Sequence, residues 1–328
     1  MNHRTLGNVG AVSEVGYGSW QIGSDWGDVS EAEAVEAVET ARNAGIDFFD
    51  TADVYGDGRS EQILGDVLED DIASGDVTVA TKAGRRLDPH VADGYDEANL
   101  RRFVNRSREN LGMETLDLVQ LHCPPTDVYY RPETFDALDD LADEGKIANY
   151  GVSVERVEEG LKAIAYPGVE TVQIIFNPFR QRPAELFLEE AAARDVGVIC
   201  RVPLASGLLT GALSRDAEFP EDDHRNYNRE GDAFDVGETF AGVPFETGLD
   251  AVDALEDRIP DDRALPEFAL RWILDHDAVS TVIPGSTTPA HIESNAAASE
   301  AAPLSDAERE AANAVYDEYV REHVHHRW

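Results

Sequence analysis

Residues 30–52 read SEAEAVEAVETARNAGIDFFDTA, and this stretch sets the fold. Ser30 followed by Glu33 makes a capping box, in which each side chain satisfies the other residue's backbone N–H. Ala34, Val35, Val38 and Ala41 then recur at helical spacing, and Gly45 supplies the residue that ends a helix. Immediately afterwards 46–52 is a short apolar run with no helical period, the signature of a strand buried on both faces. Helix, glycine, buried strand is the unit to look for elsewhere.

It recurs along the whole chain. Strand-like runs fall at 15–20, 46–52, 77–82, 116–122, 148–153, 171–177, 196–202 and 279–284. Helical patterns lie between and after them, at 30–44, 59–70, 96–111, 132–144, 154–165, 184–195, 266–275 and 289–299. Eight strand–helix units in 328 residues predict an α/β fold, a closed (β/α)8 TIM barrel forming one domain over 1–328. Three pieces stand outside the rhythm. Residues 1–14 predict an N-terminal β-hairpin, 205–248 a long acidic loop after strand 7, and Ser305 with Glu308 caps an extra C-terminal helix. A doubly wound nucleotide-binding sheet would need G-x-G-x-x-G after a strand. Gly16-x-Gly18 has Gln21 at the third glycine position and Gly56-x-Gly58 has Glu61, so that fingerprint is missing.

Composition excludes several classes. A hydrophobic fraction of 42% suffices for a core, but no apolar run approaches the ~18 residues of a membrane helix. Residues 1–10 lack the apolar centre of a signal peptide, and Cys123 and Cys200 offer no disulfide framework, so a cytoplasmic protein is expected. The net charge is −39, spread along the chain, and Lys82, Lys146 and Lys162 are the only lysines. No basic stripe exists to hold nucleic acid. An acidic, lysine-poor surface predicts a halophilic protein, because ~1 M salt shortens the Debye length to ~3 Å and screens self-repulsion.

In a (β/α)8 barrel the C-terminal strand ends face the active site. Those ends carry Trp20, Asp50, Lys82, His122, Ser153, Gln173 and Asn177. Asp50 and Lys82 end neighbouring strands and can pair, with Tyr55 five residues past Asp50. Burying such groups unpaired is costly, so their grouping points to chemistry. A free phenol has a pKa of ~10, and an adjacent ammonium steadied by a carboxylate favours phenolate, which makes Tyr55 a candidate proton donor. His122 is placed to orient a carbonyl oxygen. Protonating a developing alkoxide requires hydride delivery to carbon, which no side chain provides, hence a nicotinamide cofactor. Trp20 is expected to wall the substrate pocket. Alternation within the strand aims Cys123 away from His122, towards the helices. His323, His325 and His326 read as a frayed tail, and no metal is expected.

Asp50-Thr51-Ala52-x-x-Tyr55-Gly56, Val79-Ala80-Thr81-Lys82 and Leu121-His122 at these intervals resemble the aldo-keto reductases. The resemblance runs from Arg4-Thr5-Leu6-Gly7 through Gly151-Val152-Ser153, Val172-Gln173, Ser206-Gly207-Leu208-Leu209-Thr210-Gly211 and Ile283-Pro284-Gly285-Ser286 to Asn295. It implies a catalytic tetrad of Asp50, Tyr55, Lys82 and His122. It also implies NADP(H), with NAD(H) as a second cofactor, held by Ser153, Gln173, Arg201, Pro203, Leu204, Ser206, Gly207, Leu209, Gly285, Ser286, Thr287, His291 and Asn295. Val154 stands where the family has an Asn beside the carboxamide, and Arg201 where many members stack a Tyr on the ring. A guanidinium plane can stack there too, the rival reading being a salt bridge to local acids. His291 replaces an Arg that faces the 2′-phosphate, which predicts a modest NADP preference. The implied reaction interconverts small aldehydes or ketones and alcohols. The alternatives are a sugar or alcohol dehydrogenase running toward oxidation, and a cofactor-sensing regulatory subunit.

Overall fold

In the computed structural model, which describes residues 1–23, 29–260 and 262–328, the buried apolar runs pair as parallel strands. The chain opens with an antiparallel hairpin, β1 (His3–Leu6) and β2 (Gly10–Ser13). β3 (Tyr17–Gly18), β4 (Phe48–Asp50), β5 (Thr78–Ala83), β6 (Leu116–His122), β7 (Ile147–Ser153), β8 (Val169–Ile175), β9 (Gly197–Arg201) and β10 (Thr281–Val282) follow, hydrogen-bonded in sequence order. Val15 pairs in parallel with Val282. The Gly16 N–H donates to the Val282 carbonyl at 2.8 Å and the Val282 N–H to the Glu14 carbonyl at 3.0 Å. The last strand thus meets the first and the barrel closes, as the eightfold rhythm predicts.

β3 and β10 are shorter than the runs 15–20 and 279–284. At this seam a side chain on Gly18 would meet the Ile283 carbonyl at 2.9 Å, so only glycine permits the approach.

Two apolar layers hold the fold. The larger lies between strands and helices. The smaller fills the barrel interior with Phe48, Ala80, Leu118, Ile199 and Ile283, and Leu6 and Val12 of the hairpin join it. The hairpin therefore plugs one end of the barrel with hydrocarbon. The polar side chains Asp50, Lys82, Gln120, His122, Ser153 and Gln173 are also buried, toward the C-terminal ends of their strands. One end is sealed and the other carries the chemistry.

Ser30 and Glu33 cap the helix Glu31–Asn43, and Ser305 and Glu308 cap Asp306–Val315. The pattern at 59–70 is broken at Leu68 into Arg59–Val67 and Glu69–Ser74, and 184–195 yields only Phe187–Ala192 behind a short 3-10 turn. Within 205–248 the chain forms short turns and then enters a helix, Phe245–Glu256, that the sequence pattern did not reveal. The end of the chain corrects the expectation of a frayed tail. After a π-helical turn, Tyr316–Val320, Val324 is fully buried and Trp328 is 3% exposed. The His325 Nδ1 lies 2.9 Å from the Tyr316 hydroxyl. Indole burial holds this segment in place. Among the described residues no helix is long and apolar enough to cross a membrane.

Candidate active site

A cavity of about 540 Å³ opens at the C-terminal strand ends. Asp50 ends β4, and because 118, 120 and 122 alternate inward on β6, Gln120 and His122 reach the same interior as Lys82 of β5. The Lys82 ammonium donates to the Asp50 carboxylate and, at 2.8 Å, to the Thr51 carbonyl. The other Asp50 oxygen accepts from Gln173 Nε2 at 2.7 Å and Gln120 Nε2 at 3.2 Å. Three donors thus meet the Asp50 carboxylate, so the buried ion pair is supported by further hydrogen bonds, the condition under which such a pair is tolerated.

Tyr55 reaches this group from the loop after β4. That loop turns through three successive left-handed residues, Gly56, Asp57 and Gly58, at φ of 57°, 55° and 95°. A side chain on Gly56 would come within 2.2 Å of the Gly23 carbonyl. Arg86 and Arg106 both bind the Asp57 carboxylate, at 2.5 and 2.8 Å, and hold the exceptional aspartate. The Lys82 ammonium lies 5.1 Å from the centre of the Tyr55 ring. His122 meets that ring edge-on, 5.9 Å between centres, and Trp20 stacks on it at 6.1 Å.

Burial, reinforced by the Asp50 and Glu238 charges, pushes the Tyr55 phenol well above its ordinary value. This reverses the lowering expected from the ammonium. Desolvation dominates, and Lys82 is itself lowered by burial and committed to Asp50. His122 is held well below the usual histidine range, by burial first and then by Arg85 and Lys82. A protonated phenol thus sits beside a neutral imidazole.

Fifteen of the expected site residues line one cavity. Besides Trp20, Asp50, Tyr55, His122, Ser153 and Gln173, these are Arg201, Pro203, Leu204, Ser206 and Gly207 on the β9 side and Gly285, Ser286, His291 and Asn295 on the β10 side. Lys82 lies behind Asp50. Leu209 and Thr287 do not line the cavity, because Leu209 is fully buried in the apolar core and Thr287 lies outside the wall. Val154, in the place of the family's Asn, is fully buried, and its carbonyl accepts from Arg201 at 3.0 Å. Arg201 also makes the salt bridge named as the rival to stacking, to Glu155 at 3.0 Å, while keeping a place in the cavity wall.

Cys123 departs from expectation. Its φ of 45° ends the strand alternation, so the thiol turns toward Ser153 Oγ and Arg201, each at 3.5 Å, instead of toward the helices. Burial pushes that thiol up to about 12, which leaves it inert. Gln120 was missed although its spacing two residues before His122 pointed to it. Arg85, Glu155 and Glu238 were also missed, since they follow the strand ends or lie in the aperiodic stretch 205–248.

The cavity suits a nicotinamide dinucleotide. It extends from Tyr55 to the start of the helix Pro289–Ala297, whose N-cap Thr288 makes no side-chain cap of its own. Pro289 has no N–H and the His291 N–H donates to the Thr288 carbonyl, so the Ala290 N–H is the first-turn donor left for a phosphate. Along the way Ser206 and Gly207, at φ of 54° and 100°, present backbone to it.

Fold and site together define a nicotinamide-dependent barrel oxidoreductase. Residues 14–317 match the model of the aldo/keto reductase family, and the chain belongs to that family. It is an NAD(P)H-dependent enzyme of carbonyl reduction. The aldo-keto reductase YhdN of Bacillus subtilis is 30% identical over 89% of this chain and 87% of its own. The holo form of the aldo-keto reductase AKR11C1 from Bacillus halodurans superposes with a TM-score of 0.77 at 27% identity, covering 96% of each chain. The glycerol dehydrogenase AKR11B4 from Gluconobacter oxydans gives 0.76 at 28%, covering 97% of this chain and 96% of that one.

Proposed function

We propose that the chain acts as one domain over 1–328, reducing small aldehydes or ketones with Tyr55 as general acid, Lys82 as its activator, Asp50 as the orienter of Lys82 and His122 as the carbonyl clamp. The observation that carries this reading is the Lys82 ammonium held between the Asp50 carboxylate and the Tyr55 ring. A bound nicotinamide supplies the hydride. The neutral His122 orients the carbonyl oxygen by a hydrogen bond, and Tyr55 gives its proton to that oxygen as charge develops there. Lys82 stabilises the phenolate left behind, which burial alone would disfavour.

Arg201 serves as the platform at the nicotinamide end, with Ser153 and Gln173 at the carboxamide and the β9 and β10 loops along the phosphates. With His291 at the adenosine end, NADPH is preferred over NADH only modestly. A preference well above a hundredfold would contradict this. The acidic surface and lysine scarcity support a halophilic, cytoplasmic enzyme.

Tyr55→Phe tests the assignment. Loss of a general acid costs about 10²–10⁴-fold in turnover, while NADPH titrated by fluorescence binds as in the wild type. Unchanged turnover defeats the mechanism, and a wild type that binds nucleotide without turnover favours a sensing role. The likeness to a glycerol dehydrogenase supports a second reading, oxidation of an alcohol. Comparing kcat/KM in the two directions separates them.

A further inference from the structure

The long segment after β9 enters the cavity wall at Glu238, a residue the chemistry above does not use. Glu238 is ion-paired to Arg85, just past β5, and lies 3.8 Å from Arg201 at the end of β9. Glu155 bridges the same two arginines at 3.2 and 3.0 Å. Arg85 and Arg201 hold Glu238 well below the usual carboxylate range despite its burial, so it stays charged. Its partner Arg85 lies 5.8 Å from the centre of the Phe234 ring, which meets Trp20 at 6.0 Å, and Trp20 stacks on Tyr55, so Glu238 stands on the Tyr55 side of the cavity.

The segment is also fastened from outside. The Trp328 indole N–H donates to Asp235 at 2.9 Å, and the Arg180 guanidinium lies 3.8 Å from the indole ring centre. Side chains on Gly237 or Gly242 would come within 2.9 or 2.5 Å of that ring. Arg180 further donates to the Ala241 carbonyl at 2.9 Å. Ser206 closes the inner edge, donating to the Glu238 carbonyl at 3.2 Å and accepting from the Phe240 N–H at 3.1 Å. Between these fastenings Phe240 and Ala241 are held at φ of 53° and 57°. Two consecutive left-handed residues that are not glycine persist only where surrounding contacts impose them.

We propose that residues 235–242 form a strap, latched by Trp328, that presents Glu238 as a specificity-determining residue favouring hydroxylated carbonyl substrates over plain alkyl aldehydes. This rests on the reductase reading of the Tyr55 site. An ionised carboxylate has about four acceptor positions. Glu238 lines the cavity, with Arg85 ion-paired to it, Arg201 at 3.8 Å and a side-chain hydrogen bond to Glu155. A hydroxyl on the carbon next to the carbonyl can donate to a position not used by these partners, and an alkyl chain in that place leaves that acceptor position without a donor.

The test compares kcat/KM for glyceraldehyde and butanal, at saturating NADPH, in the wild type, Glu238→Gln and Trp328→Ala. The wild type is expected to favour glyceraldehyde, and the ratio to fall about tenfold in Glu238→Gln, the size of one charge-assisted hydrogen bond. Trp328→Ala, which keeps Glu238, should lower the ratio as well. A ratio unchanged in both variants overturns the proposal. So does an equal loss for both aldehydes, which would mark a purely structural role. Hydrogen exchange gives a readout independent of turnover. Trp328→Ala should speed exchange in 235–242 and leave β4 to β8 unchanged, and unaltered exchange there also overturns the strap. A wild type that turns over neither aldehyde, with the exchange change present, defeats the reductase reading and leaves the latch standing.

Discussion

At the residue scale, the site is governed by what burial does to Tyr55, Lys82 and His122. Tyr55 must be protonated to act as an acid, and its raised value keeps it so well past neutrality. His122 must stay neutral, and its lowered value keeps it so well below pH 6.5. The kcat/KM profile for reduction, which reports the free enzyme, is therefore expected to show no histidine limb near pH 6.5. A limb near 6.5 would mean that His122 is solvated. The sign for stability is separate. Because the folded His122 resists protonation, the fold loses stability as pH falls through the unfolded value of about 6.5. Asp50→Asn makes a second prediction, since it leaves Lys82 buried without a carboxylate. Breaking a buried pair costs about 3–5 kcal/mol, so a lower melting temperature should accompany lost turnover, measured by calorimetry and steady-state assay. Much of this site was legible. Asp50, Lys82 and His122 end strands whose inward phase is set by alternation, and Gln120 obeys the same rule. The direction of the Tyr55 shift was not legible, because it depends on how much water the folded neighbours remove.

At the scale of elements, the Tyr55 loop and the hairpin decide whether that chemistry is placed at all. Gly56→Ala forces a side chain into the Gly23 carbonyl at a residue with φ of 57°. The loop must move, and turnover should fall far more than NADPH affinity, which assay and titration would distinguish. The hairpin has the opposite role. Leu6 is fully buried in the small interior cluster at the sealed end of the barrel. Leu6→Ala should cost about 2–5 kcal/mol of stability while leaving kcat near wild type. The strand–helix rhythm made the barrel readable, since buried parallel strands are continuous apolar runs and capping boxes mark helix starts. What stayed unreadable is what has no period. The stretch 205–248 is ordered by single contacts to distant parts of the chain, as Ser206 to Phe240 and Asp235 to Trp328. The same holds for the chain end, whose order comes from a tryptophan seated over Gly242.

At the scale of the whole molecule the dominant quantity is the net charge of −39. Each basic residue offsets one unit of negative charge, and at the surface some are shared between two acids, as Arg101 between Glu97 and Glu144, and Arg215 between Glu246 and Asp250. Exposed pairs of this kind contribute little individually, about 0–1 kcal/mol. The excess acids repel one another across distances that low salt does not screen. Two effects of added KCl then oppose each other: it weakens the pairs and it relieves the repulsion. With so large an imbalance relief should win, and the melting temperature is expected to rise between 0.05 and 2 M KCl. The shape of the rise identifies its cause. The Debye length is already ~10 Å at 0.1 M and ~3 Å at 1 M, so a gain from screening is steep at first and flattens below about 1 M. A gain from stronger effective burial of apolar surface would continue with concentration and would be larger in sulfate than in chloride. An early plateau that is the same in both anions at equal ionic strength supports charge screening as the halophilic device. A fall in melting temperature on adding salt would show that the surface pairs outweigh the repulsion, and would defeat the halophilic reading.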